Sequence, residues 1–369
     1  MSNPRVVRVL MTAGRAAGDA GARGGLRRPA DVLARCVIAV LASCAVSLAG
    51  AQSAQSASGA PGAHQTAPFV APQWAFPTAA PPHPAPVRDS VVRHHVPGSA
   101  RTFTMARAAN AFDVADWFPD SHAPMPRPVR YGHSPEWRAC GFCHLPDGRG
   151  RPENATLAGL PADYIRAQVK ALANRSRLSA NPSSSTNSMH QIAAAAPDSD
   201  VAIAARYFSA QTLTRRNRVV ETMQVPTTRV EGILYALDGE GTEPIAGRLI
   251  EVPEDFERHE LHDPSVTYVT YVPRGSLARG RRLVTTGPAG PATACITCHG
   301  PQLRGVAMVP PIAGRSPSYL LRQLMNIKAG ARHDAGSAPM LPVVEKLSVS
   351  DMVALAAYVG SLAPSPTSR

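Results

Sequence analysis

Aromatic residues are scarce in this chain: Phe, Trp and Tyr make up 5% of its 369 residues. Small domains have little core to spare, and few bulky side chains leave them less. Basic residues outnumber acidic ones, 38 to 26, yet the arginines are scattered rather than striped and nothing resembles a nucleic-acid module. Long apolar runs are missing too. Beyond residue 48 no stretch approaches the roughly 20 residues that a transmembrane helix needs. Cysteine is limited to six residues. Four of them fall in two short motifs, and Cys36 and Cys44 lie in an N-terminal leader, so no thiol is left for a disulfide or a nucleophile.

The two motifs read Cys140-Gly-Phe-Cys143-His144 and Cys295-Ile-Thr-Cys298-His299. Cys-x-x-Cys-His is the attachment pattern of c-type haem. Two thiols add across the porphyrin vinyl groups, and the adjacent His supplies the proximal iron ligand. Two other readings compete. A structural zinc would normally bring its paired halves closer in sequence and does not call for a His after each second Cys. A redox dithiol would want a βαβ setting, which neither motif has. Two covalently bound haem c groups are therefore expected, and the porphyrins would supply the apolar surface that the composition lacks.

Residues 1–35 carry seven Arg and two acidic residues, followed by an apolar run from Cys36 to Leu48 and then Ala49-Gly50-Ala51. This reads as a signal peptide over 1–51 that exports the chain to the periplasm. A lipoprotein leader ending at Cys44 is the alternative, with attachment to a membrane at the N-terminus. Setting the leader aside leaves 31 basic and 24 acidic residues, a modestly basic surface suited to redox partners with acidic docking faces. Residues 52–100, rich in Ala, Pro, Ser and Gln, read as a disordered or extended tether. His64, His83, His94 and His95 read there as solvated loop histidines. Asp116-Trp117-Phe118-Pro119 is expected to pack over the first haem domain.

The remainder repeats. Tyr164 stands twenty residues beyond His144 and Tyr319 twenty beyond His299. Ala158-Gly159 matches Ala313-Gly314, Gln168 matches Gln323, and Arg177 matches Arg332. Met189 precedes Tyr207 by eighteen residues, as Met340 precedes Tyr358. Both copies carry helical signals. Ser316 is a cap with Pro317 behind it, and Leu320, Leu324 and Ile327 form an apolar face. Pro161 starts the matching helix, with Ile165, Val169 and Leu172. Ser348 to Asp351 starts the last helix like a capping box and buries Met352, Leu355, Ala356 and Val359. Val201, Ala204, Ala205 and Phe208 repeat that face. Gly275 opens a further helix in which Gly280 permits close crossing. Residues 216–274 differ: 218–221 and 268–272 are β-prone, and Asp238-Gly239 signals a turn. The acidic residues around His259 and His262 read as a solvated face. The resulting expectation is a mainly α chain with a first haem domain over 101–215, a β-containing connector over 216–274, a second haem domain over 275–363 and a tail over 364–369.

The sixth iron ligand decides function, because a thioether raises the potential and closes the site to small molecules. Met340, in the Gly336-Ser337-Ala338-Pro339 loop, is the candidate for the second haem ahead of Met308, Met325 and Met352. Repeat register selects Met189 for the first, with His190 as its competitor and Met105 and Met125 further off. Arg177 and Arg332 are candidates to pair with haem propionates; exposed helix-end cations are the alternative.

On these motifs, Cys140-x-x-Cys143-His144 with Met189 and Cys295-x-x-Cys298-His299-Gly300 with Met340, the chain resembles a tandem dihaem member of the class I cytochrome c family. The resemblance covers 132–213 and 275–363. It implies small helical haem folds, His/Met ligation and one-electron transfer at an exposed haem edge. It also implies that a backbone carbonyl holds each proximal His: that of Pro311 in the second copy and Thr156 in the first. Leu145 stands where Gly300 follows the second His. An electron-transfer protein between an exported dehydrogenase or quinol-linked donor and a terminal oxidase or other acceptor in a respiratory chain is the leading expectation. A dihaem peroxidase and a haem redox or gas sensor are the alternatives.

Overall fold

The computed structural model describes residues 68–79, 88–182 and 184–364, all within one unit, Gln65–Arg369. The expected signal peptide, with Cys36 and Cys44, most of the tether centre and most of the tail lie outside the described residues. In chain order the elements are β1 (Arg93–His95), β2 (Thr102–Thr104), α1 (Met105–Ala108), α2 (Arg127–Arg130), α3 (Cys140–His144), α4 (Ala162–Ala173), α5 (Ser184–Ala195) and α6 (Asp198–Ser209). Then come β3 (Asn217–Glu221), β4 (Gln224–Glu231), β5 (Leu234–Pro244), β6 (Ile250–Pro253), α7 (Phe256–Glu260) and β7 (Tyr268–Val272). The rest is helical: α8 (Ser276–Thr286), α9 (Cys295–His299), α10 (Pro317–Lys328), α11 (Leu341–Val344) and α12 (Val349–Ser361). Among the described residues, no helix is long and apolar enough to cross a membrane.

The expected caps form. Ser316 accepts from the Tyr319 amide with Pro317 at the first helical position, and Ser348 and Asp351 make a reciprocal capping box. Each such cap is worth about 1 kcal/mol. Met352, Leu355, Ala356 and Val359 are buried as expected. The face of α10 is rotated from expectation. Leu321 and Met325 are buried with Ile327, whereas Leu320 and Leu324 are half-buried. Gly280 lies against α12, where a Cβ would collide with the Ala354 carbonyl and the Tyr358 side chain. Gly280→Ala is expected to cost about 1–3 kcal/mol by overpacking. Thermal unfolding of the holoprotein reads it, and an unchanged Tm would show that the two helices separate freely.

Hydrogen bonds recur between matched loops. Gly150 N donates to the His144 carbonyl as Gly305 N does to His299, and Leu157 N donates to Gly148 as Ile312 N does to Leu303. Gly159 N reaches the last helix at Phe208, and Gly314 N does so at Val359. Between these regions β3 pairs parallel to β7, and β6 pairs antiparallel to it, in a three-stranded sheet. A hairpin of β4 and β5 stands beside it. Its reversal falls at Gly232, with φ of 60°, rather than at Asp238-Gly239. The Asp238-Gly239 signal instead marks an irregular stretch inside β5, where pairing jumps between Pro226 and Thr228.

Two N-terminal expectations are corrected. The segment 68–79 is not an extended tether: Ala75 and Phe76 are buried in the core of the second helical region, and the Tyr235 hydroxyl donates to the Trp74 carbonyl at 2.9 Å. Residues 93–95 likewise form β1, and Val96 is buried. The few aromatics of a proline-rich stretch suffice to anchor it. Trp117 packs with Val96, Ala108 and Leu261 in a small core of its own, its Nε1 donating to the Leu261 carbonyl at 2.9 Å. It therefore joins the N-terminal segment to the connector, while its neighbour Asp116 reaches Tyr207 of the first helical region through His122.

Candidate haem sites

Each Cys-x-x-Cys-His motif forms a single helical turn, α3 and α9. That turn sets the two sulfurs three residues apart on one side, with the His following. The chain leaves α9 through Gly300 at φ 74° and α3 through Leu145 at φ 64°, ψ 156°. The second conformation is nearly reserved for glycine and costs a leucine about 1–3 kcal/mol. Full burial of the Leu145 side chain offsets part of that cost.

His144 Nδ1 donates to the Ala155 carbonyl at 2.8 Å, and His299 Nδ1 donates to the Pro310 carbonyl at 2.9 Å. Both acceptors lie one residue before the expected Thr156 and Pro311. Those two carbonyls are instead occupied by Arg315, whose Nη1 and Nε donate to them at 2.8 and 2.6 Å. Because a carbonyl only accepts, Nδ1 carries the proton in both rings and Nε2 keeps its lone pair, the tautomer an iron ligand needs. Burial pushes the His144 imidazole down to about 4 and lowers that of His299, so both rings are neutral near pH 7.

The thiols discriminate among the chemistries a dithiol can perform. Burial pushes Cys140 up to about 12 and Cys295 up to about 11, and it raises Cys143. Dithiol exchange needs a thiolate, which burial opposes here; Cys140 and Cys295 border apolar clusters instead. Cys140 packs against the cluster that holds Leu160, Ile165, Tyr207 and Phe208. Cys295 packs against the cluster that holds Leu303. Among the described residues no three His, Cys, Asp or Glu side chains converge to hold a metal ion. The residues fit a porphyrin: vinyl-reactive sulfurs, an oriented imidazole and apolar walls. When bound, haem c supplies a one-electron iron couple, and the chain supplies its orientation and its surroundings.

Met340 closes a short 3-10 turn, Ala338–Met340, and is half-buried against the same apolar cluster that Cys295 borders. Met325 and Met352 are fully buried core residues, and Met308 is largely exposed. In the first site Met189 is half-buried within α5, which packs on α4. His190 is otherwise engaged. Its Nε2 donates to the Arg177 carbonyl at 2.9 Å, and its Nδ1 accepts from Arg175 at 3.0 Å. Met105 packs in the small core with Trp117, and the Met125 sulfur sits against Gly141 of α3.

Arg177 and Arg332 are paired across the two halves rather than standing as exposed helix-end cations. They face each other in an antiparallel bridge, flanked by bonds from Leu178 N to the Ala331 carbonyl and from His333 N to the Ser176 carbonyl. Arg177 donates to the Tyr319 hydroxyl at 2.8 Å, and Arg332 donates to that of Tyr164 at 3.3 Å. Each also reaches both Gln168 and Gln323. An antiparallel bridge between matched residues is the mark of a local two-fold axis. Asp334 is the carboxylate that answers these two guanidiniums, through Arg332 at 3.1 Å. The excess positive charge suits anionic haem propionates.

The residues around His259 and His262 form a solvated face only in part: Glu254, Asp255 and Glu257 are exposed. His259 is 1% exposed, and Glu251 and Asp263 are buried with it. Glu251 Oε2 accepts from the Ser316 hydroxyl and the Ser318 amide, both at 2.8 Å, and so caps α10 from the connector. Burial pushes Glu153 up, but Arg151 and then His259 outweigh it and hold that carboxylate well below its ordinary range. The His262 ring stands edge-on to Phe142 of α3 at 4.6 Å. Sequence reasoning also missed Arg315. Its place beside the matched Ala-Gly pair, where the first copy has Leu160, was the available signal.

The cytochrome c family profile matches residues 277–363. A cytochrome c-554(548) of Halomonas halodenitrificans is 34% identical over 68 residues, covering 18% of this chain and 82% of that protein. A thiosulfate dehydrogenase electron acceptor of Stutzerimonas stutzeri is 37% identical over 92 residues, or 24% of this chain and 41% of that one. A cytochrome c4 of Azotobacter vinelandii is 38% identical over 82 residues, or 20% and 39%. The chain thus spans about two fifths of those last two relatives. Among solved structures, reduced cytochrome c4 from Pseudomonas stutzeri covers 60% of this chain and 93% of its own at 23% identity, with a TM-score of 0.38.

Proposed function

Because this chain belongs to the cytochrome c family, we propose that it is an exported dihaem electron carrier. One haem c is attached at Cys140 and Cys143 within 101–215, and one at Cys295 and Cys298 within 275–363, on either side of the connector 216–274. His144 and Met189 ligate the first iron, and His299 and Met340 the second. The observation that carries this reading is the duplicated proximal geometry: two single-turn motif helices, each followed by a His whose Nδ1 bonds a backbone carbonyl eleven residues on. The engagement of both His190 ring nitrogens supports Met189 as the first distal ligand.

One relative carries a dehydrogenase's electron acceptor in its name, which supports an exported dehydrogenase as the donor. A modestly basic surface favours partners with acidic faces. The rival readings, a peroxidase-like enzyme or a haem sensor, require a vacant or labile distal position. Carbon monoxide added to the dithionite-reduced holoprotein separates them. No spectral change is the expected result; rapid binding at either iron would shift the reading to the rivals. Met189→Ala is expected to admit carbon monoxide at one haem, and His190→Ala is not. The reverse pattern would make His190 the ligand.

A further inference from the structure

Arg315 precedes the cap of α10, and its side chain leaves the second haem segment for the first. Nε donates to the Pro311 carbonyl at 2.6 Å, Nη1 to Thr156 at 2.8 Å and Nη2 to Ala158 at 3.2 Å. Pro311 directly follows Pro310, whose carbonyl holds His299. Thr156 directly follows Ala155, whose carbonyl holds His144. One guanidinium therefore grips the peptide next to each histidine anchor. It is 4% exposed. Among the described residues its partners are these carbonyls and, farther off, the Tyr164 and Tyr319 phenols, with no carboxylate to neutralise it. The matched residue of the first copy is Leu160, so no second cation answers it from the other side.

We propose that Arg315 is a positioning residue shared by the two iron sites, a buried cation that raises both reduction potentials and moves them together. The inference rests on the dihaem reading above. A buried, unneutralised positive charge favours the less positive, ferrous state of a nearby iron, and low dielectric lets that preference reach both sites. Its bonds to the anchor loops act in the same direction. They draw electron density from the peptides beside the acceptors of the Nδ1 protons, which makes each imidazole a weaker donor to iron.

The experiment is a spectroelectrochemical titration of the full-length holoprotein as wild type, Arg315→Gln and Arg315→Lys. Arg315→Gln should lower both potentials, each by the equivalent of roughly a tenfold change in ferric-to-ferrous ratio, about 59 mV, with the visible spectrum unchanged. Arg315→Lys keeps the charge but cannot span three carbonyls, so both potentials should fall by less. A merely structural clasp would lower Tm and leave the potentials in place. Unmoved potentials, a shift at one haem alone, or equal shifts in the two variants would overturn the proposal. If the Gln variant does not accumulate, the Lys variant decides: two smaller falls support the role, and unchanged potentials end it. Haem content of the wild type tests the underlying reading separately, since a single haem would sink the dihaem carrier whatever Arg315 does.

Discussion

Met340→Ala is expected to lower the reduction potential of the second haem by on the order of a quarter of the roughly 0.8 V that axial ligation spans, and to let carbon monoxide bind there. A thioether is soft and weakly donating, so it stabilises ferrous iron; alanine leaves that coordination position to water or to an added ligand. Met340 closes the 3-10 turn Ala338–Met340, held through Met340 N to the Ser337 carbonyl and Ser337 N to the Asp334 carbonyl. Asp334 in turn binds Arg332 and Gln168, so the distal loop is tied to the joint between the two halves. Redox titration with a carbon monoxide spectrum checks the prediction. An unchanged potential would remove Met340 from the ligand set and pass the role to the exposed Met308, since Met325 and Met352 are locked in the core.

The second large effect is expected from Cys140→Ser combined with Cys143→Ser. Without either sulfur the first haem cannot be attached, and purified protein should carry half the wild-type haem c by the alkaline pyridine spectrum. The cost reaches beyond the cofactor. Cys140 packs against the apolar cluster that holds Leu160, Ile165, Tyr207 and Phe208, and a missing porphyrin leaves part of that cluster facing water. At about 25 cal/mol per Å² of apolar surface, even 150 Å² left uncovered would cost roughly 4 kcal/mol, a large share of the stability of an ordinary domain. Low yield and early proteolysis of the first segment are the expected accompaniments. A full haem complement in this double variant would show that the motif is not an attachment site.

Much of this was legible beforehand, for identifiable reasons. The motif helices are short and local: two sulfurs and an imidazole within five residues need no distant partner to be recognised. The repeat was legible because matched offsets such as Tyr164 to Tyr319 follow proximal loops with the same hydrogen bonds; the Met189 and Met340 segments differ, an α-helix in the first copy and a 3-10 turn in the second. The caps at Ser316 and Ser348 were legible because capping is settled within three residues. The acceptor of the proximal histidine was misplaced by one residue. A carbonyl's availability depends on what else bonds it, and Arg315 takes the neighbouring oxygen in both copies, from four residues away at Pro311 and from a distant part of the chain at Thr156. The buried part of the acidic connector was misread for the same kind of reason. Glu251 and His259 look solvated in composition but are buried under α10 and against Glu153.

By itself, the order of residues determined which cofactor chemistry this chain can host, and it displays the attachment motif twice. Covalent attachment and helix capping are short-range events, and short range is what a sequence displays directly. Tertiary structure alone decided how the duplicates meet: Arg177 against Arg332, Tyr164 and Tyr319 as the crossed acceptors, Arg315 between both proximal loops, and Trp74 to Phe76 folded onto the second half. Those contacts join residues about 150 or more positions apart. Their formation turns on which buried donors and acceptors would otherwise go unpaired, a balance struck only when the whole chain is packed.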